Sequence, residues 1–162
     1  MNVELLAPAG SYSKFLTALN FGADAVYLGG KQFSLRTFAD NFTEEELSSA
    51  VSLAHEKGKK VYVTANIFAK NADFPVMESY FKSLEKMGVD AVIVSDPGVI
   101  YFIKSVAPKL SIHLSTQANT LNKYSVKFWK EQGVSRVILA RELSISEIKE
   151  IHDFVPDVEL EA

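Results

Sequence analysis

Four times in this chain a glycine stands between a stretch of helical apolar spacing and a short apolar run. Gly22 precedes residues 25–28, Gly58 precedes 60–65, Gly88 precedes 91–95 and Gly133 precedes 137–140. Glycine ends a helix by taking the left-handed conformation that other residues disfavour. An apolar run of four to six residues has the length of a buried strand. One helix-to-strand junction used four times makes this a repeated βα protein. Strands that alternate regularly with helices are expected to lie parallel, so the repetition constrains the fold more tightly than any single motif.

The remaining units follow in order. Residues 3–7 form a first strand closed by Pro8-Ala9-Gly10, and Ser11 or Ser13 can cap a helix carrying Phe15, Leu16 and Leu19. After the second strand the connection from Gly29 to Phe42 exceeds the usual two to six residues. It holds Phe33, Leu35, Phe38 and Phe42 beside Lys31, Arg36 and Asp40, so it is expected to fold over something rather than to act as a linker. Thr43 with Glu46 forms a capping box for a helix that buries Leu47, Ala50, Val51 and Ala54. Met77, Tyr80, Phe81 and Leu84 mark the next helix, and Asp96-Pro97 starts another that stops before Pro108. Residues 110–116 read as the fifth strand. The helix after it bears Tyr124, Val126, Phe128 and Trp129. Ser144 with Glu147 caps a sixth helix lined by Ile145, Ile148 and Ile151, and residues 157–162 read as a seventh strand.

Two architectures fit parallel strands alternating with helices: an open doubly wound sheet and a closed barrel. In the open sheet both strand faces meet helices and should be apolar. Here alternate positions are polar on several strands: Tyr62, Thr64 and Asn66; His113, Ser115 and Gln117; Glu159 and Glu161. A barrel lumen hosts such layers, so the expected fold is an α/β parallel barrel of the TIM type. A closed eight-stranded barrel needs about 250 residues. The 162 present are therefore expected to be the first six βα units and the seventh strand of a longer protein, a single domain that is an incomplete barrel of about seven strands and six helices. Open edges on the first and last strands lead us to expect self-association.

Composition narrows the function classes. A net charge of −3 carries no basic footprint over the whole chain. Zero cysteines exclude disulfides and thiolate metal sites within these residues. There is no secretory leader pattern and no apolar run of bilayer-spanning length, so a cytoplasmic protein without membrane contact is expected.

Active sites of such barrels gather at the carboxyl ends of the strands. The candidates there for binding a substrate or an anion are Gly29, Gly30, Arg36, Asn66, Asp96, Ser115, Gln117, Arg141, Glu142, Glu159 and Glu161. Arg36 and Arg141 can hold a carboxylate or phosphate by bidentate contacts, and the glycines allow backbone N–H groups to approach an anion. Each has a plainer role too. Gly29-Gly30 can simply turn the chain, Asp96 can serve only as a helix cap, and Arg141 and Glu142 can pair at the surface. Ser115 lies two residues from His113, yet no third orienting group accompanies them, which argues against a serine hydrolase. His55 and His152 fall on helices and read as solvated. No two histidines have metal-ligand spacing, so no metal site and no catalytic residue is assigned.

Six collinear blocks resemble one family. They are ELLAPAGS (4–11), DAVYLGG (24–30) with FSLR (33–36), VYVTAN (61–66), VSDPGVI (94–100), HLSTQAN (113–119) and LARELS (139–144). Together they resemble the collagenase-like peptidase family U32. The resemblance implies a barrel and an intracellular enzyme. Some members are RNA hydroxylation factors, which use an iron–sulfur cluster held by cysteines that follow the seventh strand. It therefore implies no cofactor within this chain, a cluster elsewhere in the whole protein, and a tRNA or rRNA substrate. The alternative is a peptidase acting on collagen-like peptides, although the sequence carries no HExxH motif or nucleophile elbow.

Overall fold

The computed structural model describes residues 3–34 and 41–162. Seven strands alternate with six helices in the order β1 (Leu6–Ala9), α1 (Tyr12–Asn20), β2 (Ala25–Gly29), α2 (Glu44–Glu56), β3 (Lys60–Thr64), α3 (Phe74–Met87), β4 (Ala91–Val94), α4 (Pro97–Val106), β5 (Ser111–Leu114), α5 (Lys123–Glu131), β6 (Arg136–Ile138), α6 (Ile145–Phe154) and β7 (Glu159–Glu161). A single 3₁₀ turn, Thr116–Ala118, follows β5. All strand pairs are parallel and sequential, from β1 beside β2 through to β6 beside β7. The sheet curls into an incomplete barrel, so far that Arg136 at the start of β6 reaches Glu4 just before β1 at 2.7 Å.

The four junction glycines behave as the repeat demands. Gly22, Gly58, Gly88 and Gly133 have φ of 96°, 67°, 79° and 84°, a region costly for any residue with a Cβ. Both capping boxes are present, Thr43 with Glu46 on α2 and Ser144 with Glu147 on α6. Ser11 rather than Ser13 caps α1.

Alternation along the strands divides the core in two. Val26, Leu28, Val61, Val63, Val92, Val94, Ile112, Leu114 and Val137 face outward into the main core with Phe15, Leu47, Met77, Phe81 and Ile103 from the helices. At roughly 1.5–3 kcal/mol for each fully buried large side chain, this layer supplies most of the drive to fold. The inner face forms a second cluster in which Ala25, Tyr62, Ala91 and Ile93 meet Leu6, Tyr27 and Ile138. Small alanines on β2 and β4 leave room for the Tyr62 ring on β3 between them.

The strands depart from the sequence expectation mainly at their ends. β1 begins at Leu6 rather than residue 3, and β5 ends at Leu114 because Ser115 already caps the 3₁₀ turn. Ile145 is 86% exposed, since it opens α6 away from the buried face that Ile151 occupies. On α5 only Val126 is buried, and Tyr124 and Phe128 are exposed.

Candidate active site in the barrel lumen and at its rim

The carboxyl ends of β2 and β3 are tied together by the start of the long connection. Ser34 Oγ lies 3.1 Å from Thr64 Oγ1, which also donates to the Leu28 carbonyl at 3.2 Å. Phe42 donates its N–H to the Gly29 carbonyl, and a bridge between Gly30 and Phe42 closes the base of the connection. The two glycines are needed for space. A Cβ at Gly29 would lie 2.8 Å from Ser34 Oγ, and one at Gly30 would lie 2.7 Å from Tyr80 Oη. The room over both is thus taken by the chain's own side chains. Phe33, at φ 60°, stacks its ring 5.2 Å from Tyr80. Arg36 lies outside the described residues.

Further round the rim, Asn66 donates to Gln117 Oε1 at 2.9 Å, joining the ends of β3 and β5. Ser115 Oγ accepts from Gln117 N, and Asp96 Oδ1 accepts from Val99 N at 2.9 Å as the cap of α4. Arg141 and Glu142 are exposed in the turn after β6, and no ion pair joins them among the described residues. The rim therefore brings Gly29, Gly30, Asn66, Ser115 and Gln117 into one hydrogen-bonded arc, with Asp96 engaged as a cap. It is an arc of amides and hydroxyls.

Glu159 and Glu161 belong to a different layer. Glu159 starts β7 and therefore sits at the amino end, opposite to the rim, where Arg136 Nε donates to it at 2.8 Å. Arg136, whose side chain is 8% exposed, is the centre of a buried network. Its Nη1 donates to Glu4 Oε1 at 2.7 Å and lies 3.8 Å from Glu161 Oε2, while its Nη2 meets Glu159 at 2.7 Å. The guanidinium also stands 5.1 Å over the Tyr62 ring. Tyr62 Oη donates to Glu4 at 2.8 Å, Lys60 donates to the same carboxylate at 3.0 Å, and the His113 ring packs edge-on to Tyr62 at 4.6 Å. Below them a cavity of about 390 Å³ opens at the amino end, lined by Lys60, Tyr62, Ser111, His113 and Arg136 with others.

Charges in this network are set by competition between burial and pairing. Burial opposes the charge on Glu4, but the hydrogen bonds from Arg136, Lys60 and Tyr62 outweigh it and hold the carboxyl at about 2. Burial, aided by the Arg136 cation, pushes His113 down to about 3 and keeps it neutral. Burial raises Glu161; Arg136 opposes the shift and Glu4 adds to it, leaving that carboxyl above its ordinary value. Burial likewise raises Tyr62 and Tyr80.

The polar lumen positions Tyr62, Thr64, His113, Ser115 and Glu161 were legible from period-two alternation. Arg136 and Glu4 were missed as members of the site. Extending the same alternation one step back, from Ile138 to 136 and from Leu6 to 4, is the signal that finds them. His55 is a surface residue whose Nε2 contacts Asp90 at 3.0 Å. With no cysteine in the chain, and no group of three or more His, Asp or Glu side chains set to hold a metal among the described residues, the donor set here does not fit an iron–sulfur cluster. Among the described residues no helix is long and apolar enough to cross a membrane.

Comparison with known proteins agrees with this geometry. The chain matches the model of Peptidase family U32 over residues 10–162. It is 48% identical over 159 residues to tRNA hydroxylation protein P1 of Bacillus subtilis, covering 98% of this chain and 37% of that protein. It is 46% identical over 158 residues to tRNA hydroxylation protein P of Escherichia coli, covering 98% and 35%. A collagenase of Porphyromonas gingivalis is 33% identical over 159 residues, covering 96% and 38%. The chain thus spans little more than a third of the length of these curated relatives. The solved structure of the U32 peptidase Mk0906 superposes with a TM-score of 0.79 at 18% identity, covering 98% of this chain and 67% of that one. With its sequential parallel barrel and a family match running almost from end to end, the chain belongs to peptidase family U32.

Proposed function

We propose that this chain is the barrel portion of an iron–sulfur-dependent tRNA hydroxylation enzyme of the cytoplasm, and that its lumen and rim bind the RNA. The observation that carries this reading is the 46–48% identity, along nearly the whole chain, to proteins named for tRNA hydroxylation. The rim chemistry supports it. Asn66 and Gln117 form an amide pair able to meet base edges, and Arg141 is an exposed cation beside it suited to a phosphate or an anionic cosubstrate. The cluster chemistry belongs in this proposal to cysteines elsewhere in the whole protein, and no step is assigned to it here.

The peptidase alternative draws on the 33% identity to the collagenase. The lumen offers that reading little. His113 is neutral and packed on Tyr62, and the hydroxyl of Ser115 accepts the Gln117 N–H as a cap, so the two do not form a nucleophile–base pair. Deleting the gene for the whole protein and measuring hydroxylated nucleosides in bulk tRNA by mass spectrometry tests the proposal. Loss of one hydroxylated nucleoside, restored by the wild-type gene, is expected. An unchanged nucleoside profile would overturn it.

A further inference from the structure

Two polar atoms in the lumen have no partner among the described residues although both are sealed from solvent: Nδ1 of His113 and Oε2 of Glu161. His113 is only 4% exposed and lines the cavity. The two residues flank Arg136. His113 is its register neighbour on β5, and Glu161 on β7 pairs with Ile138, one lumen position nearer the rim than Arg136. Buried polar atoms in native proteins are almost always satisfied, so two orphans around one cation point to a missing ligand.

The charge count singles out Glu161. Three carboxylates, Glu4, Glu159 and Glu161, surround the network, against the cations Arg136 and Lys60. Glu4 takes a short contact from Arg136 and one from Lys60, and Glu159 takes two from Arg136. Glu161 is left at 3.8 Å with nothing closer. Tyr62 and His113 add no charge, since the tyrosine donates its proton to Glu4 and the imidazole is neutral. A third carboxylate with no cation of its own, and burial that raises its proton affinity, favours the neutral acid.

We infer that Glu161 is a substrate-contacting residue that works as a protonated carboxyl, pairing its O–H and C=O with the adjacent donor and acceptor of an unpaired nucleobase edge, while Arg136, Glu4 and Glu159 position it. The inference rests on the tRNA reading above and names the group that reads the base. A carboxylic acid presents one donor and one acceptor side by side. Nucleobases carry the complementary pair on one edge. A trans peptide unit points its N–H and C=O in opposite directions, so a peptide substrate cannot take both contacts.

The test compares the whole protein with its Glu161→Gln and Glu161→Ala variants for tRNA hydroxylation across pH 5 to 9. The Gln amide keeps a donor beside an acceptor, so E161Q is expected to hold kcat/KM within a few-fold of wild type. It should also lose the decline at high pH that deprotonation of Glu161 produces. E161A is expected to lose roughly 10- to 100-fold in kcat/KM, the scale of one lost bidentate base contact. Infrared difference spectra of wild type against E161Q should show a carboxylic acid band at neutral pH. A wild-type enzyme that hydroxylates tRNA while E161Q is as impaired as E161A overturns this inference alone. A wild-type enzyme silent on tRNA overturns the functional reading and the nucleobase ligand with it.

Discussion

Replacing Arg136 with methionine should remove the cation on which the lumen network depends, and the structure sets both the size and the pH dependence of the loss. The side chain is 8% exposed and contacts Glu4 and Glu159 at 2.7–2.8 Å. Removing one partner of such a buried pair costs about 3–5 kcal/mol, because the carboxylates left behind are desolvated and unpaired. Glu4 reports part of this directly. Its carboxyl is lowered from 4.5 to about 2, which at about 1.4 kcal/mol per pH unit is on the order of 3 kcal/mol, shared between Arg136, Lys60 and Tyr62. The sign follows from linkage. A depressed carboxyl gives its full stabilisation above pH 4.5 and loses it as pH falls from 4.5 to 2. His113, lowered from 6.5 to about 3 by burial and by Arg136, acts in the same direction, because the unfolded chain takes up its proton first. The gap between wild type and R136M should therefore be largest near pH 7 and narrow steadily below about pH 6.5. Urea unfolding followed through Trp129, the one tryptophan, measures it. A double variant with Glu4→Gln should recover part of the loss by removing a stranded charge. A gap that stays constant from pH 7 to 3, or R136M unfolding at the wild-type midpoint, would refute the account of the network.

Gly30→Ala should cost about 1–3 kcal/mol by forcing a Cβ against Tyr80 Oη, and adding Tyr80→Phe should recover most of it; thermal melts of the two variants decide. Asp96→Ala should cost about 1 kcal/mol as a lost cap of α4 and leave the KM for tRNA unchanged, whereas a raised KM would give Asp96 a place in the site. Because β1 and β7 each pair on one side only among the described residues, residues 1–162 alone should associate through those edges. Light scattering that shows a monomer at high concentration would contradict this.

Much of the fold was legible because its signals are local. Each junction glycine, capping box and apolar run lies within one βα unit, and the alternation of Tyr62, Thr64, His113 and Ser115 announced a polar lumen and hence a barrel. The centre of the site was not legible for the opposite reason. Arg136 meets Glu4 across 132 positions of sequence, and a charged residue just before a three-residue strand reads as loop. Glu159 was expected near the rim but begins β7, since the strand starts two residues later than residue 157. The glycines after β2 suggested an anion cradle, but only the folded chain could show that Ser34 and Tyr80 fill the space over them. The relation of Arg36 to the site lies outside the described residues.

The most direct test of the proposed function is hydroxylation by the purified whole protein. Isolated anaerobically, it would be incubated in parallel with unmodified tRNA and with a collagen-like peptide. The account predicts a hydroxylated nucleoside in the tRNA, an intact peptide, and loss of the RNA product in the Glu161→Ala variant. Cleaved peptide with unmodified tRNA would contradict it.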